Sequence, residues 1–370
     1  MLNVLVKPAS SLCNMRCKYC FYRNVSDNRG NASFGIMTKE STRAFLENVF
    51  AYERSHISFT FQGGEPTLAG VDYFKSFHEL VDEYNKDHIR VSFSLQTNGY
   101  DIPEEMLCIF AKHRYLLGVS LDGDQALHDF LRPTVGDQPT YERINQTLTL
   151  LDRYNIDYNV LTVITEDVAK RGAEVYRHLR DRGFKYLQFI PFVPDFCGAG
   201  EGRSFTLTNG SYAHFLNESF KEYHSDFVKG SYVSVRQFDN FVRIAAGLAP
   251  ECCGMGGSCN ASIVVEADGG VYPCDFYVLD KWKMGNITKD PVQELLCSAA
   301  AREFVSSSRK TDGQCRLCKY LPICRGGCRR HREETDGGVG SNRYCSAYKS
   351  FFEKSGGLII DIAKRLKIKR

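Results

Sequence analysis

The sequence lacks a surplus of charge of either sign. Its 47 lysines and arginines nearly cancel its 44 aspartates and glutamates, which leaves a formal net charge of +3. Proteins that bind polyanions concentrate positive charge, and this composition gives no such electrostatic footprint. We therefore expect no nucleic-acid partner.

Long apolar runs are also absent. The first residues contain only the short apolar run from Leu2 to Val6, whereas a membrane-spanning helix needs roughly 20 apolar residues and a secretion signal needs a longer apolar region than this. We expect a cytoplasmic protein with no membrane partner. The basic amphipathic end, from Leu358, is expected to be a helix that packs on its domain with a solvated basic face.

Cysteine, in contrast, is plentiful and unevenly placed. Of the 15 cysteines, three lie together near the start and nine lie between positions 253 and 345. The cytosol keeps thiols reduced, so disulfides are rare there, whereas metal sites use thiolates readily. The two groups therefore indicate two separate pieces of metal chemistry.

The first 230 residues alternate short β-rich runs with amphipathic helical stretches, which is typical of repeated βα units and a parallel sheet. We predict six strands, each followed by a helix. The sequence after Gly230 becomes rich in cysteine and glycine, with few long periodic helices, as expected where bound metal holds a fold. The predicted strands are 4–6, 57–61, 91–95, 117–121, 158–164 and 186–192, and the predicted helices are 38–52, 71–85, 103–114, 140–154, 169–182 and 210–227.

This pattern predicts an α/β protein with an incomplete barrel, because a full (β/α)8 barrel needs two more units. At 370 residues the chain is also too long for one growing core. We predict a partial (β/α)6 barrel over residues 1–230, a cysteine-rich domain over 231–345 and a C-terminal helix over 346–370.

Cys13, Cys17 and Cys20 stand in a C-x3-C-x2-C spacing directly after the first predicted strand. Four thiolates close an ordinary [4Fe–4S] cluster, so three would leave one iron open. An open position is where a metal site performs chemistry. The alternative is a zinc knuckle with a distant fourth ligand, which the spacing disfavours because zinc sites prefer paired C-x2-C halves.

The three-cysteine motif resembles that of the radical S-adenosylmethionine superfamily, in which the open iron chelates the amino and carboxylate groups of the cofactor. The sequence GGEP after the second predicted strand resembles the superfamily's loop that bonds the cofactor's amino group through its backbone. Alone, such a loop is equally well an ordinary tight turn. By resemblance the cofactor contacts are Gly64 in this loop, Ser120 and Arg132 at ribose and carboxylate, and Tyr19 and Val193 at adenine.

The C-terminal cysteines include eight that form a spaced array, enough for two closed [4Fe–4S] clusters, which are suited to electron transfer. From the array alone, two structural zinc sites would be an equal alternative. The array resembles the SPASM extension of radical S-adenosylmethionine peptide-modifying enzymes. That resemblance, and not the spacing, assigns Cys253, Cys259, Cys274 and Cys328 to a nearer cluster and Cys315, Cys318, Cys324 and Cys345 to a farther one.

Four cysteines remain outside these sets. Cys108 and Cys297 are interpreted as small apolar core residues, and Cys252 adjoins a proposed ligand, although the C-x5-C spacing favours Cys253. Cys197 has no assigned role.

The segments VYPCDFYVLDKW and FQGGEPTLAG resemble the anaerobic sulfatase-maturating enzymes, and the likeness extends over nearly the whole chain. It implies three [4Fe–4S] clusters, S-adenosylmethionine as cofactor, and Asp275 as the general base. Without the resemblance, a carboxylate beside a cluster ligand is more often an ordinary hydrogen-bonded acid.

The resemblance further implies oxidation of a cysteine or serine in a sulfatase segment Cys/Ser-x-Pro/Ala-x-Arg to formylglycine, after hydrogen abstraction at its β-carbon by a 5′-deoxyadenosyl radical. An external electron donor such as ferredoxin or flavodoxin would be needed. Two alternatives stay open: a SPASM enzyme that forms thioether or carbon–carbon crosslinks in a ribosomal peptide, and a zinc-stabilised binding scaffold without enzymatic activity.

Overall fold

The computed structural model describes residues 1–196, 204–310, 312–335 and 338–368. The chain divides into two compact units, each assembled from segments that are distant in sequence. The first unit is Met1–Leu121, Asp129–Tyr158 and Ala261–Phe304, and the second is Asp122–His128, Asn159–Asn260 and Val305–Arg370. The predicted boundaries at positions 230 and 345 stay predictions.

The six predicted strands are all present, each within two residues of its expected bounds. Six short strands follow them in the second half of the chain. The strands are β1 (Leu2–Val6), β2 (His56–Phe61), β3 (Arg90–Thr97), β4 (Leu116–Ser120), β5 (Tyr158–Ile164), β6 (Tyr186–Pro191), β7 (Ser234–Val235), β8 (Ile263–Val265), β9 (Gly270–Tyr272), β10 (Gly285–Asn286), β11 (Arg332–Thr335) and β12 (Gly338–Asn342).

The predicted helices are also present, with shorter ones between them. The helices are α1 (Phe21–Asp27), α2 (Lys39–Tyr52), α3 (Val71–Tyr84), α4 (Glu104–Lys112), α5 (Gln125–Leu131), α6 (Tyr141–Arg153), α7 (Glu166–Ala169), α8 (Gly172–Asp181), α9 (Asn209–Lys229), α10 (Arg236–Ala245), α11 (Val292–Leu296), α12 (Ala299–Ser308), α13 (Gly313–Arg316), α14 (Leu321–Cys324) and α15 (Cys345–Ile368).

The sheet of the first unit has the order β10-β9-β8-β1-β2-β3-β4. β1 to β4 are parallel neighbours, as the βα alternation predicts. β8, more than 200 residues later in the chain, pairs parallel with the free side of β1, with Val4 opposite Ile263. The antiparallel strands β9 and β10 follow it, so part of the cysteine-rich half of the sequence belongs to the first sheet. In the second unit β6 pairs parallel with β5 and with β7.

Phenylalanines on β2 form the centre of the first unit's core. Burial alternates along this strand, so Phe59 and Phe61 point to the same side and are fully buried. Phe77 from α3 meets both rings edge to face, with centroid distances of 5.3 and 5.0 Å. Such contacts add to the free energy of apolar burial and fix the helix layer against the strands.

The last helix begins at Cys345 and has 24 residues, so it starts well before the basic amphipathic segment from Leu358. Within the second unit it packs against α9 and α10, where Phe351 contacts Phe220 at 5.3 Å and Phe241 at 5.5 Å. Among the described residues, no helix has the length and apolar character that crossing a membrane requires.

Two stacked histidines lie behind the first sheet. The rings of His78 on α3 and His113 after α4 are parallel within 10° and 3.5 Å apart, and His78 Nε2 lies 2.9 Å from the Tyr115 hydroxyl. Burial, and then the charges of His113 and Lys112, lower the pKa of His78 to about 3. Both rings therefore stay neutral in the folded protein near neutral pH.

Acid should destabilise the first unit through this histidine. Below about pH 6.5 an unfolded histidine binds a proton that folded His78 does not, so the free energy of unfolding falls by about 2 kcal/mol between pH 6.5 and 5. Thermal unfolding of His78→Phe under anaerobic conditions should show a shallower loss of stability over this range. The exposed-site control His214→Phe should keep the parent's slope, and an unchanged slope in His78→Phe would contradict the assignment.

Candidate active site

The loop that carries the first three cysteines runs from β1 to α1. Cys13 Sγ accepts a hydrogen bond from the Met15 amide at 3.4 Å, and the Asn98 side-chain nitrogen lies 3.7 Å from it. Burial raises the pKa of Cys13 to about 11, so a thiolate here requires a cationic partner. Three thiols with donors aimed at one sulfur fit an iron–sulfur ligand set, because hydrogen bonds to the sulfurs tune such clusters.

The GGEP loop packs directly against the backbone that precedes Cys13. The Gly64 amide donates to the Ser10 carbonyl at 3.0 Å, and the Glu65 amide donates to the Leu12 carbonyl at 2.7 Å. A Cβ at Gly64 would lie only 2.1 Å from the Leu12 oxygen. Glycine is therefore required here, and the loop fixes the position of the cysteine loop.

Glu65 of the same loop is a buried, fully bonded carboxylate. It accepts hydrogen bonds from the Thr67 hydroxyl at 2.8 Å, the Thr97 hydroxyl at 2.9 Å and the Asn98 amide at 2.7 Å. Burial raises its pKa and these donors lower it. Glu65 thus ties the end of β2 to the end of β3, and its role is to shape the loop.

Four of the five predicted cofactor-binding residues lie in the first unit: Tyr19 in the cysteine loop, Gly64 and Ser120 at the carboxyl ends of β2 and β4, and Arg132 directly after α5. The segment after α5 pairs with the cysteine loop, since the Arg16 amide donates to the Pro133 carbonyl at 2.8 Å. The buried Arg132 guanidinium donates to the Tyr19 hydroxyl at 2.5 Å. Ser120 is the last residue of β4 and half-buried. Val193, the fifth residue, is buried in the second unit after β6.

Asp275 begins a 3-10 turn directly after Cys274. Its Oδ2 accepts a hydrogen bond from the Tyr22 hydroxyl at 2.6 Å and one from the side-chain amide of Gln62 at 3.2 Å. The Lys7 ammonium lies 3.8 Å from Oδ1, and the carboxylate side chain is only 12% exposed. Because Tyr22 follows Cys20 by two residues, one tyrosine side chain links the first cysteine loop to Asp275.

The electrostatics around Asp275 favour a basic Asp275 carboxylate and a protonated Tyr22 phenol. Burial raises the pKa of Asp275, and Lys7 and the Tyr22 hydrogen bond oppose that rise. Burial and the neighbouring carboxylate hold the pKa of Tyr22 well above its usual value. Tyr22 is therefore a donor, and Asp275 is the group in this cluster suited to accept a proton.

Glu266 is a second buried carboxylate beside the group of side chains around Asp275. Its carboxylate has no exposed surface, lies 2.8 Å from Arg29 and lies 3.4 Å from Lys7. Burial raises its pKa, but Lys7 and Arg29 outweigh burial and hold the pKa below its usual value. Lys7 is thus shared between two carboxylates, Glu266 and Asp275.

Sequence reasoning missed four of these side chains: Lys7, Tyr22, Gln62 and Glu266. Two of them had a local signal, since Gln62 directly precedes GGEP and Tyr22 closely follows Cys20. Lys7 and Glu266 had none, because their pairing joins strands that are distant in sequence.

The second unit contains three of the four cysteines of the nearer set. A Cβ on Gly254 would lie 3.3 Å from Cys328 Cβ, which places the neighbour of Cys253 against Cys328. The Cys259 amide donates to Ser308 in the same unit. Cys252 Sγ instead accepts a hydrogen bond from Asn240 at 3.5 Å. Cys274, the fourth member, belongs to the first unit.

The farther set lies around one concavity of the second unit. Cys315, Cys318, Cys324 and Cys345 all line it. Burial, and then the charges of the other three, raise the pKa of Cys324 to about 11, so without metal this group is a thiol, and a bound metal would be what makes it a thiolate. Among the described residues, no three His, Cys, Asp or Glu side chains converge closely enough to hold a single ion.

The interpretation of two other cysteines was wrong. Cys108 and Cys297 are exposed, not part of the core. Cys108 lies on the outer face of α4, whose buried residues are Met106, Leu107 and Phe110. Cys297 is the C-cap of α11. Cys197 lies outside the described residues.

Two family models match the chain. The Radical SAM superfamily model covers residues 8–179, and the SPASM model, described as an iron-sulfur cluster-binding domain, covers residues 253–319. The first match contains Cys13, Cys17 and Cys20, and the second contains five of the eight cysteines of the C-terminal array, namely Cys253, Cys259, Cys274, Cys315 and Cys318.

Curated relatives match over almost the full length. The cysteine-type anaerobic sulfatase-maturating enzyme of Clostridium novyi (strain NT) is 38% identical over 99% of this chain and 98% of its own. The cysteine-type enzyme of Clostridium perfringens (strain 13 / Type A) is 38% identical over 99% of both chains. The serine-type enzyme of Klebsiella aerogenes is 27% identical over 95% of this chain and 84% of its own.

Solved structures agree with the relatives. Native anSMEcpe with bound AdoMet and Cp18Cys peptide matches with a TM-score of 0.94 and 37% identity over 99% of both chains. SuiB of Streptococcus suis, bound to its precursor peptide SuiA, matches with a TM-score of 0.61 at 14% identity over 92% of this chain and 75% of that chain, a likeness of fold alone. The predicted α/β fold, a partial radical SAM barrel followed by a SPASM domain, is confirmed. The chain belongs to the anaerobic sulfatase-maturating enzymes.

Proposed function

We propose that this enzyme oxidises a cysteine of a sulfatase polypeptide to Cα-formylglycine. The segment it acts on has the form Cys/Ser-x-Pro/Ala-x-Arg. Cysteine is the preferred target, because the relatives that are 38% identical carry cysteine-type names whereas the serine-type relatives are 26–27% identical.

The cofactors of the proposal are three [4Fe–4S] clusters and S-adenosylmethionine. When bound, they supply a 5′-deoxyadenosyl radical that removes a hydrogen atom from the substrate β-carbon, and they take up one electron. Gly64, Ser120, Arg132, Tyr19 and Val193 would hold S-adenosylmethionine. The cluster ligands would be Cys13, Cys17 and Cys20 for the first site, and the nearer and farther sets defined above for the other two.

One observation carries the proposal. Asp275 lies directly after the proposed cluster ligand Cys274 and accepts a hydrogen bond from Tyr22, close to the first cysteine loop. A base at this point adjoins both the site where the substrate loses a hydrogen atom and a residue of an electron-accepting cluster. The thiol proton and the electron of the Cβ radical can therefore leave the substrate toward neighbouring groups.

The chain's own residues then have defined tasks. Asp275 accepts the proton of the substrate thiol, which its raised pKa favours. Tyr22 and Gln62 hold its Oδ2 in place, so Oδ1 faces the incoming proton. The Lys7 ammonium stabilises the ionised Asp275 carboxylate before the proton transfer. Glu266 offsets part of the positive charge of Lys7, so Asp275 can still accept a proton. Hydrolysis of the resulting thioaldehyde gives formylglycine and sulfide.

The proposal is tested with synthetic peptides under anaerobic conditions. Enzyme, reductant, S-adenosylmethionine and a Cys-x-Pro-x-Arg peptide should give a product whose mass shows the thiol replaced by an aldehyde, together with 5′-deoxyadenosine. The matched serine peptide should react more slowly. A crosslinked peptide that keeps its sulfur would favour the alternative maturase activity, and a colourless protein without iron would favour the zinc scaffold. An electron donor of the ferredoxin or flavodoxin class would replace the chemical reductant in the cell.

Asp275→Asn should separate radical formation from substrate oxidation. We expect iron content and 5′-deoxyadenosine formation to persist, whereas formylglycine formation falls by about 10²- to 10⁴-fold, the range typical of a positioned general base. Mass spectrometry of the peptide and chromatography of the nucleoside give the two rates. The isosteric control Asp268→Asn, on the β8–β9 turn, should keep the parent rate, and undiminished turnover in Asp275→Asn would reject the base.

Gly64→Ala should remove the first cluster. Its Cβ would displace the Leu12 carbonyl and with it the cysteine loop, so iron should fall from about twelve to about eight atoms per chain, with loss of 5′-deoxyadenosine formation. Gly210→Ala is the control, because a Cβ there meets open space. Full iron content in Gly64→Ala would show that the close approach does not support the cluster.

A further inference from the structure

The side chain between two cysteines of the farther set is unusually exposed. Leu317 lies between Cys315 and Cys318 and is 91% exposed, the largest fraction for any big apolar side chain in the described parts of the chain. Single apolar residues on a surface are ordinary. The position of Leu317 beside a proposed metal site is what needs explanation.

The backbone around Leu317 is well ordered by hydrogen bonds. The Cys315 amide donates to the Asp312 carbonyl at 3.0 Å, and the Cys318 amide donates to the Cys315 carbonyl at 3.1 Å. The Asp312 carboxylate caps α13 by accepting from the Gln314 amide at 2.7 Å. Leu317 is therefore presented outward by a fixed turn.

Basic residues outnumber acidic ones in the segments that carry the farther set. Residues 312–325 and 345–354 contain five basic residues against two acidic ones. Arg316, Lys319 and Lys349 are exposed, and within the described ranges none of them has a carboxylate partner. Lys349 lines the same concavity as the four cysteines of the farther set. Of the two acidic residues, Asp312 is occupied as a helix cap and Glu353 is exposed.

We propose that Arg316, Leu317, Lys319 and Lys349, here called the basic face, dock a small acidic one-electron carrier protein of the ferredoxin type. The proposal rests on the proposed function. Each substrate cysteine loses a hydrogen atom to the 5′-deoxyadenosyl radical, a proton to Asp275 and one electron. The farther cysteine set, when it holds its cluster, would pass that electron to the oxidised carrier, which is thereby reduced by one electron.

The chemistry of the face matches such a carrier. Interfaces place apolar contacts at the centre and polar groups at the rim, and here an exposed leucine lies between Arg316 and Lys319 in sequence, beside cysteines that share a concavity with Lys349. Unpaired positive charge steers an acidic partner and speeds encounter at low salt. Redox encounters use small, weak interfaces, so four side chains beside the metal site are an adequate footprint.

The test is a binding measurement on the iron-loaded enzyme with an oxidised acidic bacterial ferredoxin as the probe. The triple variant Arg316→Glu, Lys319→Glu, Lys349→Glu should raise the Kd by at least about tenfold at low ionic strength and flatten its salt dependence. Leu317→Ser, which removes no buried contact, should weaken binding with the salt dependence preserved.

A matched control carries the same charge change on the first unit. Lys39→Glu, Lys86→Glu and Lys289→Glu alter three exposed lysines, and this variant should bind the ferredoxin with only the small loss that net charge causes. Iron content and unfolding temperature should equal the parent's in all variants. An unchanged Kd in the basic-face triple variant, or an equal loss in the control, would overturn the proposal.

Electron transfer supplies a second readout that does not depend on peptide oxidation. Enzyme reduced with dithionite and freed of reductant is mixed with oxidised ferredoxin in a stopped-flow spectrometer, and bleaching of the ferredoxin is followed. The second-order rate constant should fall by at least about tenfold in the basic-face triple variant. If the peptide is not oxidised but ferredoxin binding and electron transfer behave as expected, only the proposed function is rejected. If the electron-transfer rate is unchanged in the basic-face triple variant, only the docking face is rejected.

Discussion

The arrangement of the first unit depends on one buried carboxylate, that of Glu266. A charge without solvent must be paired, and removal of one partner of a buried ion pair costs about 3–5 kcal/mol. Lys7 after β1 and Arg29 after α1 supply the pairs. They join three segments, two from the start of the chain and one from its second half. The same pairing sets β8 beside β1 and brings the turn that holds Asp275 toward the first cysteine loop.

Local patterns were enough to predict the strands β1 to β6 and the longer helices that alternate with them, α2, α3, α4, α6, α8 and α9. Apolar alternation marked β2, and the spacing of Cys13, Cys17 and Cys20 marked an open metal site. The contribution of β8 to the first sheet could not be predicted from the sequence. A strand of three residues shows no periodicity, and its partner β1 lies more than 200 positions earlier in the chain. The first turns of α15 lack the basic amphipathic pattern of its end, because they combine polar residues with aromatics that face α10.

The candidate site shows the same division between local and distant information. Gly64 was found from a motif, and the structure adds the reason, a backbone contact that no side chain fits. Asp275 was found only through family likeness, because one aspartate beside a cysteine has no distinctive pattern. Its partners Lys7 and Glu266 depend on strand order, which composition does not encode. The misjudged Cys108 shows that an apolar side chain near other apolar residues on a helix need not share their face.

Fold alone does not decide the activity of this enzyme. SuiB shares the architecture at 14% identity, and architectures of this kind host different chemistries on the same scaffold. In this chain Asp275 is hydrogen-bonded and largely buried, held by the Tyr22 hydroxyl and the Gln62 side-chain amide.

The start of α15 has a further effect on the farther metal site. Cys345 is the first residue of this 24-residue helix, and the aligned peptide dipoles of a helix place partial positive charge at its amino end. Negative charge added near this thiolate is therefore less costly than it would be beside the same cysteines in coil. This stabilisation of negative charge at the start of α15 comes from the backbone, so most side-chain substitutions would leave it unchanged.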